Sequence, residues 1–187
     1  VDRMYAVKDK SQTYTIYESN LTDVTTDELQ ELPGTSTSQI DCTLSKLGWQ
    51  KVVSGCDEQD GWYIRLDQNS EEKVLAGATV FNKGAYFTTY SPDSSTSTDV
   101  CTAGNRGTAR VYAVNWRTGE AILNFDTTND STSTTNARAR DSQGNILLRS
   151  DRVLTVGTGI PSQLNVIVMP GGTFGLVGVG GSIVNPD

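Results

Sequence analysis

The chain has 187 residues, enough for one domain or a large piece of one, and carries 15 Lys and Arg against 22 Asp and Glu, a net charge of −7, with no histidine. An acidic surface repels phosphate backbones, which argues against a nucleic-acid partner, and the missing histidine excludes Ser-His-Asp and Cys-His nucleophile systems and His-ligated zinc or haem within the chain. The hydrophobic share of 36% suits short strands joined by polar loops rather than a helical bundle, and no apolar run approaches the ~18 residues that cross a bilayer, so no membrane span is expected.

The N-terminal "VDRMYAVKDK" lacks the layout of a signal peptide and enters a strand-like phrase almost at once, as a chain beginning inside a longer protein would. That phrase, Arg-x-Tyr-Ala-Val at 3–7, returns at 110–114. "LTDVTTDELQEL" at 21–32 predicts one short helix, with Thr25 and Glu28 at capping-box spacing and Pro33-Gly34 as its stop. Residues 35–60 read as loop. "GWYIRLD" at 61–67 alternates Trp62, Ile64 and Leu66 against Tyr63, Arg65 and Asp67, the pattern of a half-buried strand. "EKVLAGATVFNKGAYFTTY" at 72–90 predicts a hairpin around Asn82-Lys83-Gly84, with Gly84 supplying the positive φ. A long polar loop follows at about 91–107. "TARVYAVNW" and "EAILNFD" predict a second hairpin turning at Arg117–Gly119, its first strand buried on both faces. Residues 126–145 are low in complexity and read as a mobile polar loop. "ILLRSDRVLTVGTG", "QLNVIVM" and "TFGLVGVGG" predict closing strands, with a turn at Pro170-Gly171-Gly172. The glycines at 157, 159, 171, 172, 175, 178, 180 and 181 suggest backbones in close approach.

Hairpins that enter on apolar residues and leave after a glycine turn are the units of four-stranded blades. The expected fold is therefore all-β: a partial β-propeller of several antiparallel blades with one short inserted helix or loop region at about 21–60, and a β-sandwich as second choice. Unclosed blades would leave strand edges unpaired, so such a chain should need partners.

Cys42, Cys56 and Cys101 all sit in polar connections and read as disulfide candidates of an oxidising compartment. Pairing Cys42 with Cys56 closes a short loop, pairing Cys56 with Cys101 ties separate segments, and the spacing allows either. Asp57, Glu58 and Asp60 could serve as paired carboxylates but read as a solvated loop, as does the turn pair Glu71-Glu72. Arg138, Arg140, Arg149 and Arg152, broken by Asp141 and Asp151, read as a solvated strand face. Trp62 is expected to be packed, whereas Trp49 and Trp116 stand at strand or loop ends and are the candidate ligand-binding aromatics, since indoles give large contact area at little entropy cost. Asp126, Asn129 and Asp130 are weak calcium candidates: their oxygens suit the ion, but the spacing is wrong and no bidentate Glu follows. Gly104-Asn105-Arg106-Gly107 reads as a turn more than an anion cradle. No catalytic residue is assigned, and no cofactor is expected in this chain.

An ordered string of motifs carries a family resemblance: Gly61-Trp62-Tyr63, Glu72-Lys73-Val74, Phe87-Thr88-Thr89, Cys101-Thr102-Ala103-Gly104, Tyr112-Ala113-Val114 and Thr118-Gly119. It resembles the C-terminal β-propeller of the PilY/PilC family of type IV pilus biogenesis and tip-associated adhesin proteins, over most of the chain apart from 33–55 and 127–145. The resemblance implies that residues 1–187 are the C-terminal part of such a propeller. It implies an extracellular, non-enzymatic component at the pilus tip or outer cell surface of a secreting bacterium. Its partners would be minor pilins or the remainder of the same propeller, with a surface or host ligand, and its role would be pilus extension and surface attachment. The family's von Willebrand A-like region and its Asp-rich calcium loop do not occur here, so calcium, possible elsewhere in the full-length protein, carries over to no residue of this chain. Two other readings stand beside this one. "YAVNWRTGEAIL" also resembles the strand phrase of quinoprotein propeller enzymes, although Leu123 stands where the docking Trp would fall. The chain would also suit a secreted carbohydrate-binding β domain.

Overall fold

The structure, a computed structural model, describes residues 1–11, 13–26, 29, 37–49, 52–93, 107–130 and 139–185. Among these the chain forms eleven strands and a single α-helix, and none of its sheets closes on itself. Two compact units divide it, one built from Met4–Arg65 and Ala113–Arg152, the other from Val1–Arg3, Leu66–Tyr112 and Val153–Asp187.

In the first of these, β1 (Arg3–Val7), β2 (Thr22–Asp23) and β3 (Gly61–Arg65) form a sheet in the order β1-β3-β2, with β2 parallel to β3. The central place of β3 buries it more than its alternation predicts. Trp62 and Ile64 are buried as expected, but so is Tyr63, whose ring lies 6.0 Å from that of Tyr5 and under the Arg65 guanidinium. Arg65 is also paired with Asp23 at 2.8 Å.

The helix is not where the sequence placed it. Thr22-Asp23 is a strand, and Thr25, the expected cap, is buried with its hydroxyl accepting the backbone N–H of Arg65 at 2.7 Å. Asp27, Glu28 and residues 30–36 lie outside the described residues. The helix α1 is Thr37–Lys46, in the stretch read as loop. Its Thr and Ser content is unfavourable for a helix, and tertiary burial decides: Leu44 and Leu47 are buried on one side, and the disulfide Cys42–Cys56 ties the helix to the segment after it. Cys101 lies outside the described residues.

In the second unit, β4 (Lys73–Val74) and β5 (Thr79–Phe81) share one edge of β6 (Gly84–Ser91), which is followed by β7 (Thr108–Asn115) and β8 (Val153–Thr158). The sheet thus runs β4/β5-β6-β7-β8 in chain order. The β5–β6 turn is built differently from expectation. Asn82 and Lys83 themselves carry φ of 44° and 68°, the two left-handed positions of a type I′ hairpin, and Gly84 is the first residue of β6. β7 is buried on both faces, as its sequence predicted. Its expected partner "EAILNFD" does not form a strand: only Ala121 bridges back, to Val114.

β9 (Asn165–Met169), β10 (Gly172–Val179) and β11 (Ser182–Val184) make the third sheet, β11-β10-β9, with hairpins at Pro170-Gly171 and Gly180-Gly181. Ala109 and Val111 of β7, Leu164, and Val177 and Val179 of β10 form an apolar cluster within this unit. Close backbone approach holds at Gly180, where an added Cβ would come 2.8 Å from Thr158 O, but Gly171 and Gly181 face open space.

Several residues of the motif string meet in one buried polar knot. Glu72, read as a solvated turn acid, is 1% exposed. Its carboxylate accepts from Thr89 Oγ1, from Tyr112 Oη at 3.1 Å and from Asn69 Nδ2 at 2.7 Å, while Phe87 stacks on Tyr112 at 4.7 Å. Arg110 closes the knot, donating to Asn69 Oδ1 at 3.0 Å and Ser91 Oγ at 2.8 Å. The repeated Tyr-Ala-Val therefore serves two environments: Tyr112 is locked in this knot, whereas Tyr5 is half exposed and donates to Glu18 at 2.7 Å.

Candidate functional site

Two turns of the Met4–Arg65 and Ala113–Arg152 unit present the aromatic residues singled out in the sequence. The first ends α1. Gly48 N–H donates to Ser45 O and Trp49 N–H to Leu44 O, both at 2.9 Å, with Gly48 at φ 69°. This is a Schellman cap, whose left-handed position favours glycine, and it points the chain out of the helix at Trp49. The second turn follows β7. Asn115 Oδ1 accepts the Arg117 N–H at 2.9 Å, Gly119 N–H donates to Asn115 O at 2.8 Å, and Gly119 takes φ 71° beside Val24. Trp116 and Arg117 occupy its tip.

The structure brings these turns together. The Arg117 guanidinium lies over the Trp49 ring at 4.5 Å and over the Trp116 ring at 5.7 Å, and its Nη2 donates to Gly48 O at 2.9 Å. Stacking an already delocalised cation between indoles holds all three side chains with little loss of hydration. Both indoles stay open to solvent, Trp49 at 41% and Trp116 at 47% exposure, while Trp62 is packed beneath at 2% and donates its Nε1–H to Trp116 O at 3.0 Å. The disulfide closes residues 42–56 around Trp49, and Ser45 Oγ, bridging Cys56 O at 2.7 Å and Val53 N at 3.0 Å, fixes the same loop from inside.

A cleft of about 370 Å³ opens beside Trp116 and Arg117, walled by Lys8, Asp9, Gly48 and Glu58 and floored by Gly61 and Trp62. Lys8 Nζ donates to Glu58 Oε1 and to Gln59 O, each at 2.9 Å, and Lys10 reaches Glu58 Oε1 at 3.0 Å. Hydrogen bonds from Lys8 and then Lys10 hold the Glu58 carboxyl down to about 2. Asp60 is buried and accepts from Tyr14 Oη at 2.8 Å. Of the three acids read as a solvated loop, then, Glu58 is committed to lysines and Asp60 is enclosed. Lys8 and Arg117 were not singled out from the sequence as site residues, and Glu58 stood there only as one of three loop acids. Arg117 had a signal, its place beside Trp116 in a hairpin tip. Lys8 and Glu58 are fifty positions apart in the chain, and nothing local announces their pairing.

The remaining candidates fall elsewhere. Asp126 caps a 3₁₀ turn at Thr127–Asn129, accepting from the Thr128 side chain and, at 3.2 Å, from its N–H. Hydrogen bonds from the Thr128 hydroxyl and then Ser150 hold its carboxyl below the usual range. Asn129 Nδ2 donates to Ser150 Oγ at 2.7 Å, and Asp130 accepts from Asn124 at 2.9 Å. These three weak calcium candidates are thus engaged in a hydrogen-bonded polar loop, and among the described residues no group of His, Cys, Asp or Glu is placed to hold a metal ion. Arg152 is buried, not solvated, and donates to Val24 O at 2.9 Å from a 3₁₀ segment rather than a strand. Arg138 and Gly104-Asn105-Arg106 lie outside the described residues. Among the described residues no helix is long and apolar enough to cross a membrane.

Compared with models of protein families, with curated proteins and with solved structures, the chain gives no match.

Proposed function

We propose that this chain is a non-enzymatic binding module of an extracellular, PilY/PilC-like type IV pilus tip protein, part of a β-propeller. It docks on minor pilins or on the rest of its own protein and offers a surface or host ligand the face made by Trp49, Arg117 and Trp116. The observation that carries the reading is that face itself: two half-exposed indoles clamped on one guanidinium, braced from behind by a disulfide and a glycine cap. Rigid aromatic anchors and Arg are the residues that dominate adhesive contacts, because little entropy is lost when they are covered.

Further features support the same reading. The disulfide is compatible with an extracellular setting. The β4/β5-β6-β7-β8 sheet follows the chain strand by strand, as a propeller blade does, and among the described residues it does not close, which suits a piece completed by partners. The motif residues that carry the resemblance, Glu72, Phe87, Thr89 and Tyr112, are the ones that knit this sheet.

The test is immunogold labelling of intact cells with an antibody raised against this chain. Label concentrated at the ends of pili is the expected result. Label spread over the envelope or absent from pili would refute the pilus assignment.

A further inference from the structure

The cleft beside Trp116 has a composition that selects a ligand class. Its charged walls cancel: Lys8 and Arg117 bring two positive groups, Asp9 and Glu58 two negative ones, and the Lys8–Glu58 pair is closed at 2.9 Å. An anion site would present cations not already spent on carboxylates, and here Arg117 is itself spent on Gly48 O and the two indoles. What the walls offer instead is fixed donors and acceptors side by side. That suits hydroxyl groups, each of which both donates and accepts. Next to these stands the apolar surface of an indole that is 47% exposed. The volume of 370 Å³ is at the small end of the roughly 300–1,000 Å³ of small-molecule sites and suits a mono- or disaccharide.

We infer that this cleft binds a neutral glycan, one or two hexopyranose units, with the C–H face of a ring on Trp116 and its hydroxyls directed to the Lys8–Glu58 pair and to the backbone at Gly48. The inference rests on the binding-module reading above and adds its ligand class. Trp116 is the contact residue. Arg117 and Trp49 are positioning residues: they hold the Trp116 turn against the end of α1, and Arg117 does so by lying over both indoles while its Nη2 donates to Gly48 O, a combination that Lys does not reproduce.

The experiment titrates the chain with maltose, lactose and N,N′-diacetylchitobiose, following tryptophan fluorescence and saturation-transfer NMR, with 3′-sialyllactose as the anionic comparator. Saturation transfer to the ring C–H protons of at least one neutral disaccharide at millimolar concentration is expected. Trp116→Ala should weaken that binding roughly tenfold or more, and Arg117→Lys or Trp49→Ala a few-fold. Because Trp116 is half exposed and its backbone carbonyl keeps the bond from Trp62, Trp116→Ala should retain the parent circular dichroism spectrum. No transfer to any neutral disaccharide, binding unchanged in Trp116→Ala, or a clear preference for sialyllactose over lactose would each overturn the inference. A second arm separates it from the broader reading. In cells carrying Trp116→Ala in the full-length protein, attachment should fall on glycan-coated supports and persist on bare polystyrene. Equal loss on both supports would overturn the glycan assignment and leave the binding face standing. No loss on either would overturn both.

Discussion

Replacing Glu72 by alanine is expected to destabilise the chain far more than a surface acid would. Glu72 is 1% exposed and accepts from two hydroxyls that are themselves enclosed, Thr89 at 0% and Tyr112 at 4% exposure. Each hydroxyl deprived of that acceptor costs about 1–3 kcal/mol, while Asn69, half-buried, turns to water at little cost. The sum, drawn toward its lower end by water entering the space, is about 2–4 kcal/mol, which lowers the Tm of a chain this size by roughly 4–16 °C. Tyr112→Phe keeps the stack on Phe87 and deletes one donor, for about 1 kcal/mol. The two changes must not add. Once Glu72 is gone the Tyr112 hydroxyl has lost this acceptor, so Tyr112→Phe in that background should cost less than in the parent, a coupling of about 0.5–3 kcal/mol. Thermal and urea melts of the four proteins, followed by circular dichroism, measure the cycle. A Glu72→Ala protein melting within 2 °C of the parent, or strict additivity, would refute the view that this knot holds the sheet together.

Lys83 sits at φ 68° in a type I′ turn, so Lys83→Gly should stabilise by a few tenths to about 1 kcal/mol in a urea melt, the relieved backbone strain exceeding the added chain entropy of glycine. Cys42→Ser with Cys56→Ser opens a loop of sequence separation 14 and should cost about 3 kcal/mol, with the same drop in the parent on adding reductant. On acidification, Glu58, held at about 2 by Lys8 and Lys10, and Asp126, held low by Thr128 and Ser150, contribute stability that is whole above their ordinary values and lost as pH falls through the lowered ones. Melts should therefore weaken from about pH 4.5 downward, modestly, because both groups are near the surface, and the Glu58 share should shrink in high salt.

Strand identity was legible wherever burial follows the local pattern. β3, β6, β7, β9 and β10 all fall within runs whose apolar content announces them, and the burial of Trp62 follows from its place in an alternating strand. Trp116 and Arg117 are presented by a turn whose signature, Asn-Trp-Arg-Thr-Gly, stands in the sequence. The errors have a common cause. Thr25 and Glu28 match a capping box, but the Thr25 hydroxyl is claimed by Arg65, forty positions away, and the helix forms instead at Thr37–Lys46, where burial of Leu44 and Leu47 outweighs poor propensity. Glu72 looks like a turn acid because its partners, Thr89 and Tyr112, come from two later strands.

By itself, then, the sequence determined the β character of the chain, most of its hairpins and the packing of Trp62, since periodicity, turn chemistry and hydropathy act over a few residues. Only the tertiary structure decided which side chains meet. The Trp49–Arg117–Trp116 stack, the Lys8–Glu58 wall of the cleft and the Glu72 knot each join distant parts of the chain: Gly48 and Arg117 stand 69 positions apart, Lys8 and Glu58 50, and Glu72 and Thr89 17. Such contacts are selected by the free energy of burying and pairing polar groups in the folded chain, a quantity no local window contains.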